Sequence, residues 1–287
     1  MKQKTFTINN FNKFYPDDSA CLQQVYNNRY SNLKSCPQCN KQPKFHKIKS
    51  RKCYKCQYCG YELHPLAGTI FHKSSTPLKN WFYAIYLFSN SKNGVSAMEL
   101  QRQLGVTYKT AWRMAKQIRL LFQQDPTQQL TDTVEADETH IGGKPRAGKQ
   151  QKQKTSVAGI VQRKGHVKAI VTHDTKSSTL MPFLLSNIKL GSRVVSDQYK
   201  SYSPVTQLGY KHSQINHSLG KYVNGDIHTN TIEGFWSQFK RSVHGTYHAV
   251  SPKYLQNYLD EFAWRYSFRH SEIHFFHLFV SKAGKPV

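Results

Sequence analysis

The stretch Thr133-Val134-Glu135-Ala136-Asp137-Glu138-Thr139-His140-Ile141-Gly142-Gly143 alternates its side chains and ends on two glycines. Alternation of this kind predicts a β-strand, because successive side chains leave a pleated strand on opposite faces. It also sets a carboxylate, Asp137, near the strand's end. Downstream, residues 156–161 and 167–172 flank Arg163-Lys164-Gly165-His166 and read as a hairpin. Residues 178–188 read as a helix. Arg193-Val194-Val195-Ser196 reads as a buried strand that delivers Asp197 at its C-terminal end. Residues 229–243 form an amphipathic helix with Ile232, Phe235, Trp236, Phe239 and Val243 on its inner stripe. Glu233 sits beside that stripe near the N-terminus, and Lys240 follows two turns along the same face.

Three strands, a helix, a strand and a carboxylate-bearing helix follow the order of a ribonuclease-H-like α/β domain, a mixed sheet flanked by helices. In that fold the first and fourth strands bring two aspartates together. Fifty-nine residues separate Asp137 from Asp197, and 35 separate Asp197 from Glu233. Three such carboxylates can hold two Mg²⁺ ions (or Mn²⁺) about 3.5–4 Å apart, one on the attacking and one on the leaving oxygen of a phosphodiester. A hard cation takes oxygen ligands, so Asp and Glu are the required chemistry. Asp137, Asp197 and Glu233 are therefore the candidate metal ligands and catalytic residues, with Lys240 placed to bind a phosphate. Glu135 shares the Asp137 face and Glu138 takes the other, so both compete for the role. Asn230, one turn before Glu233, is a candidate to assist or replace it.

The whole chain has 287 residues, 41 Lys+Arg and 16 Asp+Glu, a formal net charge of +25. Hydrophobic residues at 38% and aromatics at 13% allow a buried core and argue against wholesale disorder. The longest apolar run, residues 81–88, is far short of a bilayer span. No apolar signal segment follows the first residues, so the expected location is cytoplasmic, at the bacterial nucleoid, with no membrane partner. Positive charge on this scale points to nucleic acid, since each phosphate neutralised releases counterions. Residues 1–130 carry 20 bases against 5 acids and the remainder 21 against 11, so both halves are basic.

Five of the six cysteines lie within residues 36–59. Cys36-Pro37-Gln38-Cys39-Asn40 and Cys56-Gln57-Tyr58-Cys59-Gly60 each set two thiolates on a tight turn, the spacing of a structural Zn²⁺ ribbon. Cys53 reads as a bystander and Cys21 as a small buried helix residue. After an apolar helix at 78–88, Ser96 and Glu99 make a capping-box pattern, Gly105 stops the helix, and Thr107 starts another. This second helix presents Tyr108, Lys109, Arg113, Lys116 and Arg119, as the recognition helix of a helix-turn-helix does.

With these pieces together, the chain resembles bacterial insertion-sequence transposases that join an N-terminal zinc ribbon to a DDE catalytic domain. The likeness runs through nearly the whole sequence. It is carried by Phe14-Tyr15-Pro16-Asp17-Asp18-Ser19-Ala20-Cys21-Leu22, by Cys36-Pro37-Gln38-Cys39, by Ala67-Gly68-Thr69-Ile70-Phe71-His72-Lys73, and by Pro77-Leu78-Lys79-Asn80-Trp81. Further on it rests on residues 104–114, on 134–144, on His228-Thr229-Asn230-Thr231-Ile232-Glu233-Gly234-Phe235-Trp236, and on 258–266. The resemblance implies a triad of Asp137, Asp197 and Glu233, with Lys240 as the base that often follows the glutamate. Relatives vary at the third acid, where asparagine can stand. It also implies binding of terminal inverted repeats in double-stranded DNA, cleavage of the element's ends, and transfer of the freed 3′-hydroxyls into target DNA by a homo-oligomer. Expected regions are 1–75 (N-terminal helix and ribbon), 76–125 (helix-turn-helix) and 126–287 (catalytic). Two departures stand out: Ser267-Phe268 replaces an Asn-Arg pair, and Ser196-Asp197-Gln198-Tyr199 replaces a more usual Asp-Gly. A non-catalytic DNA-binding regulator would explain residues 1–125 but not the spaced acids, and a nuclease of the same fold would cut without joining.

Overall fold

The computed structural model describes residues 6–142, 154–215 and 225–285; Gly143 and Lys144, which close the segment 134–144, lie outside them. The chain divides into two units, one made of Met1–Leu121 with Ser271–Val287 and one of Phe122–His270. No helix among the described residues is long and apolar enough to cross a membrane.

The first unit opens with α1 (Ile8–Phe14) and α2 (Asp18–Tyr30). Asp17 caps α2 by accepting from the Ala20 N–H at 2.8 Å, and Cys21 is buried on that helix. A three-stranded antiparallel ribbon follows in the order β1 (Phe45–Lys47), β2 (Tyr54–Cys56), β3 (Glu62–Leu63). Next, α3 (Leu78–Asn90) buries Trp81, Phe82, Ile85 and Phe88. Across a turn at Gly105, α4 (Ala97–Leu104) packs on α5 (Tyr108–Arg119). Ser96 accepts from Glu99 N–H at 3.1 Å, and Thr107 from Thr110 N–H at 3.3 Å. The expected capping box is only half formed. Arg102 and Gln103, one turn on, draw the Glu99 carboxylate outward instead.

The second unit is a five-stranded mixed sheet. Its strands are β4 (Thr133–Ile141), β5 (Thr155–Gln162), β6 (Val167–Thr172), β7 (Arg193–Asp197) and β8 (Lys211–Ile215), with α6 (Ser177–Asn187) before β7. The order is β6-β5-β4-β7-β8. The first three strands in sequence pair antiparallel, and β7 and β8 run parallel to β4. The sequence did not mark β8, Lys211-His212-Ser213-Gln214-Ile215. An edge strand buries little, so its residues stay mostly polar.

Each sheet face has its own core, as strand alternation requires. Val134, Ala136, Ala158 and Ile160 pack under Leu180 and Leu184 of α6. On the other face lie α7 (Asn230–Ser242) and α8 (Leu255–Ser267). There Val157, Val161 and Val167 meet Ile232, Phe235, Trp236, Phe239 and Phe262. Gly159 lets α7 come this close, because a Cβ at that position would lie 2.6 Å from the Trp236 ring. The free edge of β6 is covered by α8. Gln256 accepts from Val171 N–H (2.8 Å) and donates to the Ala169 carbonyl (3.0 Å), and Ser267 accepts from Val167 N–H (3.0 Å). Beyond this unit, α9 (Phe275–Ala283) packs with α2 and α3, with Phe276 5.5 Å from Tyr15 and 6.0 Å from Phe11.

Candidate active site and metal centre

The parallel pairing of β4 with β7 aligns Glu135 with Val195. Two residues further on each strand stand Asp137, midway along β4, and Asp197, the last residue of β7, so the two carboxylates lie level on adjacent central strands. Asp137 lies on the face covered by α7, whose first turn carries Glu233. Burial, then the negative charges of Glu138 and Asp197, push the Asp137 carboxyl up to about 7, and Glu233 adds to this. Asp137 therefore feels the charge of the other three acids. Asp197 accepts from Tyr199 N–H at 3.0 Å, and Glu233 from the Thr229 hydroxyl at 2.7 Å. The ligand atoms of Asp137, Asp197 and Glu233 do not all lie within 4.8 Å of one another, a spacing that two other groups of described residues do reach. An oxygen-only donor set whose central carboxyl is crowded by like charges suits a hard divalent cation. Lys240 donates to Thr139 Oγ1 at 2.5 Å, two residues beyond Asp137 on the same strand face. Asn230 is the exposed first residue of α7.

Glu135 has a different role from its neighbour. It is fully buried and already saturated: Arg163 Nε donates to it at 2.7 Å, Thr231 N–H and Oγ1 each at 2.8 Å, and Ile232 N–H at 3.1 Å. His228 Nδ1 lies 3.3 Å away, an electrostatic contact without a hydrogen bond. Arg163 also donates to the carbonyls of Asp226 (2.7 Å) and His228 (3.0 Å). Two N–H groups at the start of α7 would otherwise lack partners, since its cap residue Thr229 supplies no side-chain bond to them. Glu135 thus ties the strand of Asp137 to the helix of Glu233. The sequence showed Glu135 on the right face but not its distant partners. Glu138 turns to the opposite face and accepts from the Tyr202 hydroxyl at 2.7 Å.

In the ribbon, the ligand atoms of Cys36, Cys39, Cys56 and Cys59 all lie within 4.8 Å of one another. Cys36 and Cys59 are 3.7 Å apart and Cys39 and Cys56 3.9 Å. Zn–S bonds of about 2.3 Å make tetrahedral edges of about 3.8 Å, so the four thiols fit a structural zinc ion. The two turns are alike. Asn40 N–H donates to Cys36 O and Gly60 N–H to Cys56 O, with φ of 55° and 79° at the turn residues. Burial raises the Cys36 thiol, but N–H groups of Cys39 and Gln38 outweigh it and bring it to about 7.

On α5, Tyr108, Lys109 and Arg113 are exposed and Lys116 is half-buried. Arg113 also donates to the His72 carbonyl at 3.0 Å. Arg119 departs from expectation. It is 4% exposed, donates to the Val95 carbonyl at 3.1 Å, and holds its guanidinium 5.3 Å from the Phe88 ring centre. Position 119 adjoins the inward stripe of Ala111, Ala115 and Ile118, so its side chain turns into the unit instead of toward a groove.

A mixed sheet of this order, with acids level on its two central parallel strands, defines a ribonuclease-H-like domain. Residues 129–267 match the family described as ISXO2-like transposase domain, and residues 16–62 the transposase zinc-ribbon domain. The chain belongs to the insertion-sequence transposases that combine these two modules. It is 30% identical over 107 residues to an uncharacterized transposase-like protein of Haemophilus influenzae, covering 37% of this chain and 84% of that one. Over 259 residues it is 26% identical to an uncharacterized protein in transposable element ISH50 of Halobacterium salinarum, covering 83% and 86% of the two chains. A crystal structure of a pre-cleavage Mos1 transpososome aligns over 71% of this chain and 79% of that one, at 12% identity and a TM-score of 0.26, too low a similarity to add to the fold assignment.

Proposed function

We propose that the protein binds the terminal inverted repeats of its element, cleaves the element's ends and joins the freed 3′-hydroxyls to target DNA. The observation that carries this reading is that Asp137 and Asp197 stand side by side on neighbouring parallel strands, with Glu233 on the helix that covers the same face, in a domain of the transposase family. Two Mg²⁺ (or Mn²⁺) ions, when bound, supply charge neutralisation at the attacking and leaving oxygens. Asp137, Asp197 and Glu233 would hold them. Lys240, beside Thr139, orients a phosphate next to these acids. In the first step water opens a P–O bond and leaves a 3′-hydroxyl. In the second, that hydroxyl forms a new P–O bond in the target as the target strand's own 3′ oxygen leaves. Tyr108, Lys109, Arg113 and Lys116 on α5 supply the recognition surface, and dispersed bases supply phosphate affinity. Joining two ends in one event calls for at least two copies of the chain.

Incubating the full chain with element-end duplex, a target plasmid and Mg²⁺ tests this reading. Cleavage and joining are expected in the parent and neither in Asp137→Ala. Cleavage that survives Asp137→Ala refutes the site, and nicks without joined product refute the transfer step.

A further inference from the structure

We propose that Cys53, Glu62 and His64 form a second zinc site on the ribbon, separate from the four-cysteine cluster. Antiparallel pairing of Tyr54 with Leu63 and of Lys55 with Glu62 makes a short hairpin. Cys53 precedes it on one strand and His64 follows it on the other, so the two face each other, with Glu62 two residues from His64 on the same side. The three ligand atoms all lie within 4.8 Å of one another. Cys53 Sγ and His64 Nε2 are each 3.7 Å from the same oxygen, Glu62 Oε2.

Zinc bonds of about 2.3 Å to sulfur and about 2.0–2.1 Å to nitrogen or oxygen give tetrahedral edges of about 3.3–3.6 Å. The two separations to Glu62 Oε2 need to close by only a few tenths of an ångström, and Cys53 Sγ and His64 Nε2 lie within 4.8 Å of each other. The backbone on both sides is fixed. Ile48 N–H donates to the Cys53 carbonyl at 3.1 Å, and Arg29 Nη1 donates to the carbonyls of Pro65 (2.7 Å) and Ala67 (2.6 Å) just after His64. Arg51 Nη1 lies nearer Glu62 Oε1 (3.3 Å) than Oε2 (3.5 Å), the outer hydrogen bond that a ligating carboxylate takes. A thiolate, an imidazole and a carboxylate together select a borderline cation such as zinc over Mg²⁺. Cys53 is buried while the His64 side chain is 58% exposed, so the ion sits at the surface with a fourth position open to water.

The test is zinc content per chain. Full-length protein is loaded with Zn²⁺ and then dialysed against excess Mg²⁺, so that carboxylate-only sites hold no zinc. Two equivalents are expected in the parent and one in His64→Ala and in Cys53→Ser. Cobalt replacement gives a second readout: the second equivalent adds a weaker one-thiolate charge-transfer band that both variants lose, while the four-thiolate spectrum persists. A single equivalent in the parent, or two retained in His64→Ala, overturns the proposal and leaves Cys53 a hydrogen-bonded thiol. His64 is exposed, so its variant carries the test if Cys53→Ser does not fold.

Discussion

Arg119 and Lys109 carry the same charge on the same helix, but only Lys109 faces solvent. Their replacements should therefore separate. Lys109→Ala should weaken DNA binding and lower the slope of log affinity against log salt by about one. Arg119→Ala should leave that slope alone and lower unfolding free energy by about 1–3 kcal/mol, because the Val95 carbonyl loses its donor. Fluorescence anisotropy at several salt concentrations and urea melts read the two effects; a salt slope that falls in Arg119→Ala would contradict the burial. A second single-residue effect is pH-dependent. Burial on α8 pushes the Asp260 carboxyl up to about 6, against an opposing hydrogen bond from Gln256. An unfolded aspartate titrates near 4. The folded form therefore keeps a proton that the unfolded form releases between about pH 4 and 6. The stability this gives is complete below about pH 4 and is lost as pH rises through about 6. Asp260→Asn should gain stability relative to the parent at pH 8 and not at pH 4, by urea midpoints; equal shifts at both would dismiss the idea.

At the scale of elements, the placement of α7 against the sheet decides whether Glu233 faces Asp137. Gly159 admits the Trp236 ring, and Glu135 takes the N–H groups at the helix start. Removing a buried carboxylate while its arginine remains typically costs about 3–5 kcal/mol. Glu135→Ala is expected to lose that much in urea unfolding and to change the near-ultraviolet signal of Trp236. Glu135→Gln keeps acceptors for the Thr231 and Ile232 amides and should lose less. Equal losses in the two variants would mean that the clamp on α7 is not what Glu135 contributes.

Across the whole molecule, the sheet unit and the ribbon draw on different sources of stability. The second has a core on each sheet face. The ribbon has strands of three, three and two residues, too little sheet to hold itself together without its metal. A zinc chelator should therefore abolish amide-exchange protection in residues 36–63 while β4 to β7 stay protected. Hydrogen exchange read by mass spectrometry checks this, and simultaneous loss in both places would show that the ribbon and the sheet unfold as one. The +25 charge, spread over both halves of the sequence, offers phosphate-binding groups in each unit.

Local order was legible directly. Alternation marked β4, the paired cysteines marked the ribbon, and Ser96, Gly105 and Thr107 marked the limits of α4 and α5, because periodicity and turn chemistry act over a few residues. The scarcity of acids narrowed the candidate ligands to a handful. The division of labour between Glu135 and Asp137 was not legible. Both lie on one strand face, and what separates them is an arginine 28 residues away and helix amides 96 and 97 residues away. The inward turn of Arg119, the polar edge strand β8 and the packing of α9 with α2 and α3 were likewise settled by contacts between distant segments. Sequence determined most of the elements, β8 excepted, and which chemistry they carry. Tertiary structure decided which charged groups are neutralised inside, because burial strips a charge of water only where a partner from elsewhere in the chain arrives to replace it.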